Sequence, residues 1–207
     1  MRILVTAGPT REFIDPVRYI SNSSTGYFGY KIAEEAARRG HKVVLITGTA
    51  DLNPPIGVKT IPVVSAREME AAVKGHFRRS DCLIMSAAVA DYRPDKISRS
   101  KIKKIPGKMT LKLVRNPDIL SWAGKNKGAR VLVGFSVETG DVRKEALKKL
   151  RRKNADYIFA TMVGAGPSPF GNKKIRVACF GKKGERKGLF SSKEKISSFI
   201  LDKVEKR

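Results

Sequence analysis

Five short runs of almost unbroken apolar residues recur along this chain, at 3–7, 42–47, 82–87, 131–135 and 157–160, and helical patterns lie between them. A strand that is apolar on both sides must be covered on both sides, as in a parallel sheet sandwiched between helices. In the stretch 26–39, Phe28, Ile32, Ala33, Ala36 and Ala37 share one helical face. Ser65 and Glu68 form a capping box that opens a helix running to about residue 79. Asn116 followed by Pro117 reads as a helix cap with proline at the first helical position, and Asp141 caps the helix carrying Leu147 and Leu150. The fold class expected is α/β: a Rossmann-like, doubly wound, mainly parallel sheet in a single domain over residues 1–207.

Two stretches break this rhythm. Residues 92–114 are rich in lysine, serine and proline and read as a mobile flap, with 109–114 extended. Near the C-terminus, 174–180 and 188–190 flank Gly181-Lys182-Lys183-Gly184 and read as a hairpin. A last helix follows a second capping box, Ser191 to Glu194, with Ile196, Phe199, Ile200 and Val204 on one side.

The connection after the first strand is the most unusual one. About 2–6 residues suffice for a strand-to-helix turn in an α/β unit. Here the polar stretch Gly8 to Thr25 intervenes, with arginines, acids and an asparagine. In an open parallel sheet, ligands bind beyond the carboxyl ends of the strands. This loop, 87–93, the lysine flap, 116–120 and 134–139 all fall at those ends. Ser23-Ser24-Thr25-Gly26 sits before a helix N-terminus, which suits either an anion or simple side-chain capping. Lys101, Lys103, Lys104 and Lys108 can close over a triphosphate or remain a solvated basic loop. Lys149 and Lys153 are spaced i,i+4 and face one way on their helix.

Other chemistries lack their residues. There is no G-x-G-x-x-G, no Walker phosphate loop and no nucleophile–histidine–acid set. Tyr27 and Lys31 form a Y-x-x-x-K, but far earlier in the chain than short-chain reductases place it. Cys82 and Cys179 sit in apolar runs as buried thiols of a reducing compartment. His41 and His76 are isolated. No apolar run is long enough to span a bilayer, so a soluble, cytoplasmic protein is expected. With 43 Lys and Arg against 19 Asp and Glu, the net charge is +24, a field that attracts polyanions. Aromatic residues, 7% of the total, are not interleaved with the basic clusters, which weighs against single-strand nucleic-acid binding.

The stretches TAGPTREFIDPVRYISNSSTGYFGYKIAEEAARRG, AAVADYRP, KIKK, NPDIL and VGFSVET occur in an order and spacing that resemble phosphopantothenoylcysteine synthetase. That enzyme is the second half of the bifunctional coenzyme A biosynthesis flavoprotein, and the likeness runs along the whole chain. The resemblance implies a CTP-dependent ligase: 4′-phosphopantothenate is activated to an acyl-cytidylate, L-cysteine is coupled, and CMP and pyrophosphate leave. It implies Mg2+ with the nucleotide and a homodimer that shares acyl-substrate residues across its interface. Residue by residue, Asn22 and Lys101 match catalytic positions, and Arg18, Asn22, Ala87 and Ala88 match phosphopantothenate-binding ones. Met85, Ser86, Ala87, Asp91, Lys101, Pro117, Asp118, Ile119, Leu120, Phe135, Lys149 and Lys153 match the nucleotide site. Two departures stand out: GFAAET reads GFSVET, and the family's AND reads Ala160-Thr161-Met162. The runner-up readings are a nucleic-acid-binding basic protein and a nicotinamide-dependent oxidoreductase on the same kind of sheet.

Overall fold

In the computed structural model, residues 1–104, 106–164, 170–182 and 184–206 are described, the side chains of 185–187 excepted. Residues 165–169 and Lys183 of the expected hairpin turn lie outside that description.

The chain opens with β1 (Arg2–Ala7), whose residues from Ile3 onward are all buried. It continues through β2 (Arg11–Phe13) and β3 (Tyr19–Ser21) into helix α1 (Tyr27–Arg38). Next come β4 (Lys42–Thr47), β5 (Lys59–Pro62), α2 (Ala66–Phe77) and β6 (Cys82–Met85). A short pair, β7 (Tyr92–Pro94) and β8 (Leu113–Arg115), brackets the lysine-rich segment. Helix α3 (Ile119–Lys125), β9 (Val131–Glu138), α4 (Val142–Arg152), β10 (Tyr157–Met162), β11 (Ile175–Gly181), β12 (Gly184–Ser191) and α5 (Lys193–Glu205) complete it.

The central sheet runs in the order β12-β11-β10-β9-β6-β1-β4-β5. From β10 to β5 every pairing is parallel, and the β11–β12 hairpin adds an antiparallel edge. The order reverses at β1 and β6: β4 and β5 extend one way, β9 and β10 the other. Such a switch point opens a crevice beyond the carboxyl ends of the two strands. The doubly wound sheet expected from the alternating pattern is therefore present.

Each face of the sheet has its own core. On one, α1 and α5 pack through Ile32, Ala33, Ala36, Ile196, Ile200 and Val204. On the other, α2, α3 and α4 pack through Met69, Val73, Phe77, Ala123, Ala146 and Leu150.

Local rules mostly held, with instructive shifts. Ser65 caps α2, accepting from Glu68 N, and Asp141 caps α4, accepting from Lys144 N. Helix α3, however, begins two residues later than Asn116-Pro117 implied: Asp118 caps it by accepting from Ser121 N at 2.9 Å. Asn116 instead donates its side-chain amide to Ala90 O at 2.8 Å. Helix α5 is capped by Ser192, since Ser191 still belongs to β12. The strand β5 was not anticipated, because its residues are short of apolar side chains and none is fully buried.

Candidate active site

The long connection after β1 is not an open loop. Residues 11–13 and 19–21 pair as an antiparallel hairpin. Its buried polar groups are spent on structure. Glu12 accepts from Ala66 N at 2.9 Å, tying the hairpin to the start of α2. Buried Thr10 accepts from Ala90 N at 3.0 Å. Asp15, wholly buried, accepts from Val17 N and Arg18 N, both at 2.9 Å, and from the Arg18 guanidinium.

The segment after β6 is stitched to this hairpin. Ala87 N donates to Thr6 Oγ1 at 3.2 Å, and Ala88 N donates to Gly8 O at 3.0 Å. Asn22 donates its side-chain amide to Ala88 O at 3.1 Å and Val89 O at 3.2 Å. Two segments far apart in sequence thus form one wall, at the switch point.

In front of that wall lies a cleft of about 940 Å³. It straddles the carboxyl edge of β1, β6, β9 and β10, so its sides come from opposite faces of the sheet. One side is the start of α1, with Thr25, Gly26, Tyr27 and Phe28, together with Lys193 at the start of α5. The other is the start of α3 and the inner face of α4, with Pro117, Asp118, Ile119, Leu120, Lys149 and Lys153. Asn22, Met85, Ser86, Ala87, Ala88, Asp91 and Phe135 complete the expected residues in its lining. Arg18 and Lys101 are not in that lining. Arg18 holds Asp15 and donates to Ile102 O at 2.7 Å, while Lys101 stands exposed on the lysine-rich segment.

The electrostatics of the cleft are cationic. Lys149 is largely desolvated, which pushes its ammonium below the ordinary lysine range; its Nζ donates to Phe135 O at 2.6 Å. Lys153 donates to Asp118 and, at 3.0 Å, to Ser121 Oγ. Burial pushes the Asp118 carboxyl up, but Lys153 and the Ser121 N–H outweigh it and leave the group below its usual value. The cap residue of helix α1, Gly26 with φ 79°, has no side chain to offer, but Thr25 Oγ1 accepts from Tyr27 N at 3.4 Å and Ser24 Oγ accepts from Gly26 N at 3.3 Å, so the capping alternative holds in part. The positive end of that helix dipole faces the cleft. Aromatic rings pave its floor: Phe135 meets Phe28 edge-on at 5.3 Å and stacks on Phe159 at 5.8 Å.

Residues 1–207 match, end to end, the family described as DNA/pantothenate metabolism flavoprotein C-terminal domain. The chain belongs to that family. It is 44% identical over 204 residues to the coenzyme A biosynthesis bifunctional protein CoaBC of Bacillus subtilis (strain 168), covering 98% of this chain and 50% of that protein. With CoaBC of Escherichia coli (strain K12) it shares 40% over 208 residues, covering 99% and 51%. The chain thus spans about half the length of the curated relatives it matches. The crystal structure of the C-terminal domain of CoaBC superposes with a TM-score of 0.84 at 41% identity, over 99% of this chain and 93% of that one.

Within this flavoprotein C-terminal domain, Lys193 went unread in the sequence, whereas the departure at Thr161 was noted there. Lys193 has its signal in the SSKEK run opening α5, where a lysine beside a capping serine reads as ordinary helix chemistry. Thr161 stands where the family's asparagine would; it lines the cleft and donates to Arg176 O at 2.8 Å, so the departure keeps a polar group in place. The next residue, Met162, is exposed. Among the described residues no group of three or more His, Cys, Asp or Glu side chains could hold a metal. None of their helices is long and apolar enough to cross a membrane.

Proposed function

We propose that this chain is a phosphopantothenate–cysteine ligase of coenzyme A biosynthesis that uses CTP. The observation that carries the reading is the gathering of four of the five widely separated family motifs around one cationic cleft at the switch point, with the KIKK motif and Arg18 standing outside its lining. Its membership of a family whose relatives are coenzyme A biosynthesis proteins supports the same reading.

In the first half-reaction a carboxylate oxygen of 4′-phosphopantothenate attacks the α-phosphorus of CTP, and the bond to pyrophosphate breaks. Positioning and charge neutralisation supply most of the rate in such transfers. Lys149 and Lys153 neutralise phosphates from α4, Asp118 to Leu120 present the start of α3, and Phe135 offers a ring to the base. Lys101, carried by the flap, moves in to meet charge developing at the α-phosphorus. In the second half-reaction the amine of L-cysteine attacks the acyl carbon, CMP leaves, and the amine proton passes to solvent. Both amide hydrogens of Asn22 are engaged by the Ala88 and Val89 carbonyls, so its oxygen is the part that receives and orients the incoming amine. Ala87 and Ala88 lie where backbone must come close to the acyl substrate. Arg18, outside the cleft of its own chain, fits a homodimer in which it serves the partner's acyl substrate.

The donor set fits Mg2+ only as an ion carried on the triphosphate, with Asp91 as the carboxylate of the cleft available to complete its shell. When bound, it would offset phosphate charge.

The test is turnover with 4′-phosphopantothenate and cysteine, with CTP and ATP in parallel. Cysteine-dependent release of pyrophosphate is expected with CTP. Product formation with ATP alone would revise the nucleotide, and no ligation with either would overturn the reading.

A further inference from the structure

The helices on the two faces of the sheet carry their charge differently. On one face, α1 has two basic and two acidic residues, and α5 has three of each. Arg38 and Arg39 hold Glu35 there, and Arg39 also reaches Asp202 and Glu205. On the other face, α4 has six basic residues and one acid, Glu145. Glu145 meets Lys148 at 3.3 Å, and among the described residues no carboxylate pairs with Lys144, Arg151 or Arg152, all exposed. The ends of α2 and α3 add to this charge. Arg130 donates to Arg78 O at 2.8 Å and to Lys127 O at 3.2 Å, and Lys127 donates to Asn154 O at 3.2 Å. Asn154 donates its side-chain amide to Gly124 O at 3.0 Å. This chain of bonds sets exposed Arg78 and Lys125 at the same end of the helical layer as Arg151 and Arg152.

Helix chemistry explains only part of the pattern. Cations in a last turn complement the helix dipole, which accounts for Lys125, Arg151 and Arg152. Lys144 stands in the first turn of α4, where the dipole disfavours a cation. Lys144, Lys148 and Arg152 recur every fourth residue, so like charges stack along one ridge and destabilise the helix in isolation. That ridge is about 12 Å long at the rise of an α-helix. None of these six residues lines the cleft, so ligation leaves them unused. A polyanion would relieve such a ridge, and the neighbouring side chains select its class. Among the described residues no large apolar side chain of α2, α3 or α4 is exposed, which leaves nothing to enter a membrane or anchor a protein interface. Trp122 packs edge-on against Phe77 and lies under the Lys74 ammonium, so it is no stacking platform for unpaired bases. A duplex needs neither feature, because its phosphates alone supply the attraction.

We propose that the α2–α3–α4 face is a second binding surface of this chain, one that holds double-stranded nucleic acid by its phosphate backbone without reading its sequence. The ridge on α4 follows the phosphates of one strand, and Arg78 and Lys125 flank it. The inference stands on the charge and placement of these residues and is independent of the ligase reading.

The experiment is fluorescence anisotropy of a labelled DNA duplex titrated with the full chain over a series of salt concentrations. A triple variant, Lys144→Gln with Arg151→Gln and Arg152→Gln, is set against a control that loses the same charge from the other face, Arg38→Gln with Lys195→Gln and Lys203→Gln. The α4 variant is expected to bind on the order of 10²-fold more weakly at about 0.1 M salt, with the slope in log salt shallower by roughly 2–3. The control should change by about threefold at most, because its charges lie across the sheet, beyond the screening length of about 10 Å. Saturating CTP with magnesium should leave duplex affinity unchanged. In the unaltered protein, bound duplex should slow acetylation of Lys125 and Lys144 by acetic anhydride, mapped by mass spectrometry, while exposed Lys195 reacts as before. That labelling decides the matter if the α4 variant does not fold. Equal losses in the two variants would mean a diffuse field with no favoured face, and displacement by CTP would mean that the duplex occupies the cleft. Either result would overturn the inference, as would tighter binding to a single strand or unprotected Lys125 and Lys144. Binding to phosphatidylserine vesicles or polyglutamate with none to the duplex would overturn it too.

Discussion

The opening segment 8–25 and the lysine-rich segment 95–112 are both long and polar, yet they are held in opposite ways. The first is fixed from inside: buried Thr10, Glu12 and Asp15 accept backbone N–H groups from Ala90, Ala66, Val17, Arg18 and Ile102. The described residues of the second are exposed almost throughout, and it hangs on the first. Ile102 N donates to Asp15 Oδ2 at 3.1 Å, Arg18 donates to Ile102 O at 2.7 Å, and Ser98 N donates to Ile14 O at 2.9 Å. A polar segment becomes rigid when its own buried side chains supply the partners its backbone needs. Asn22, on the first segment, lines the cleft, whereas Lys101, on the tethered one, does not.

The largest effects should separate the two residues by step. Lys101→Ala is expected to slow acyl-cytidylate formation on the order of 10²-fold, the scale of losing one electrostatic contact to developing charge. CTP affinity should change little, because the cleft is built without this residue. Asn22→Ala is expected to leave activation running while the acyl-cytidylate accumulates, visible by quenched-flow analysis. Loss of CTP affinity matching the rate loss in Lys101→Ala would mean that the flap is part of the preformed site, and the contrast would fail.

That contrast also marks what was legible in the sequence. The central sheet and its helices were legible because strands covered on both faces are apolar throughout, and because Ser65 and Asp141 cap by local chemistry alone. The cap at Asp118 was not, because Asn116-Pro117 carries an equally good local signal; the long-range bond from Asn116 to Ala90 O decided against it. The α4 side of the cleft was legible through the family resemblance, which marked Lys149 and Lys153; their spacing alone reads as a solvated face. Lys193 was not, because burial of a lysine at a helix start depends on β1, α1 and α5 meeting in space, and no local pattern records that. The hairpin inside the opening segment was hidden for the same reason: its β2 side is fixed by Glu12 reaching Ala66, across more than fifty positions of chain.

A pair of glycines sharpens the comparison at the level of stability. A Cβ at Gly48 would lie 2.1 Å from Pro9 O, at the root of the opening segment. Gly48→Ala must push that backbone away, at a cost of roughly 1–3 kcal/mol. Gly107, in the lysine-rich segment, has φ +86° but nothing within 4 Å. Gly107→Ala should cost roughly 1–2 kcal/mol, from left-handed backbone strain alone and without displacing any neighbour. Thermal unfolding of both variants checks this, and equal losses would mean that the two segments are equally well packed.

The smallest effect is one that should be absent near neutral pH. Asp15 is where the two segments meet. The Arg18 guanidinium, helped by N–H groups of Val17, Ile102 and Arg18 and opposed by burial, holds its carboxyl well below the usual carboxylate range. A depressed value in the folded state means that the released or unfolded carboxyl takes up its proton first. The tether is therefore at full strength above the ordinary value of 3.8 and is lost only as pH falls through the lower, folded one. Protection of the Ile102 amide, corrected for intrinsic exchange, should stay flat on acidification from neutrality to about that ordinary value, and decline only in stronger acid. Asp15→Asn should lower that protection at every pH and remove the decline, because an amide cannot titrate and forms a weaker partner for Arg18. Loosening of residues 98–102 already at ordinary carboxylate pH would show that Arg18 does not hold Asp15 in solution. The lysine-rich segment would then hang on backbone contacts alone.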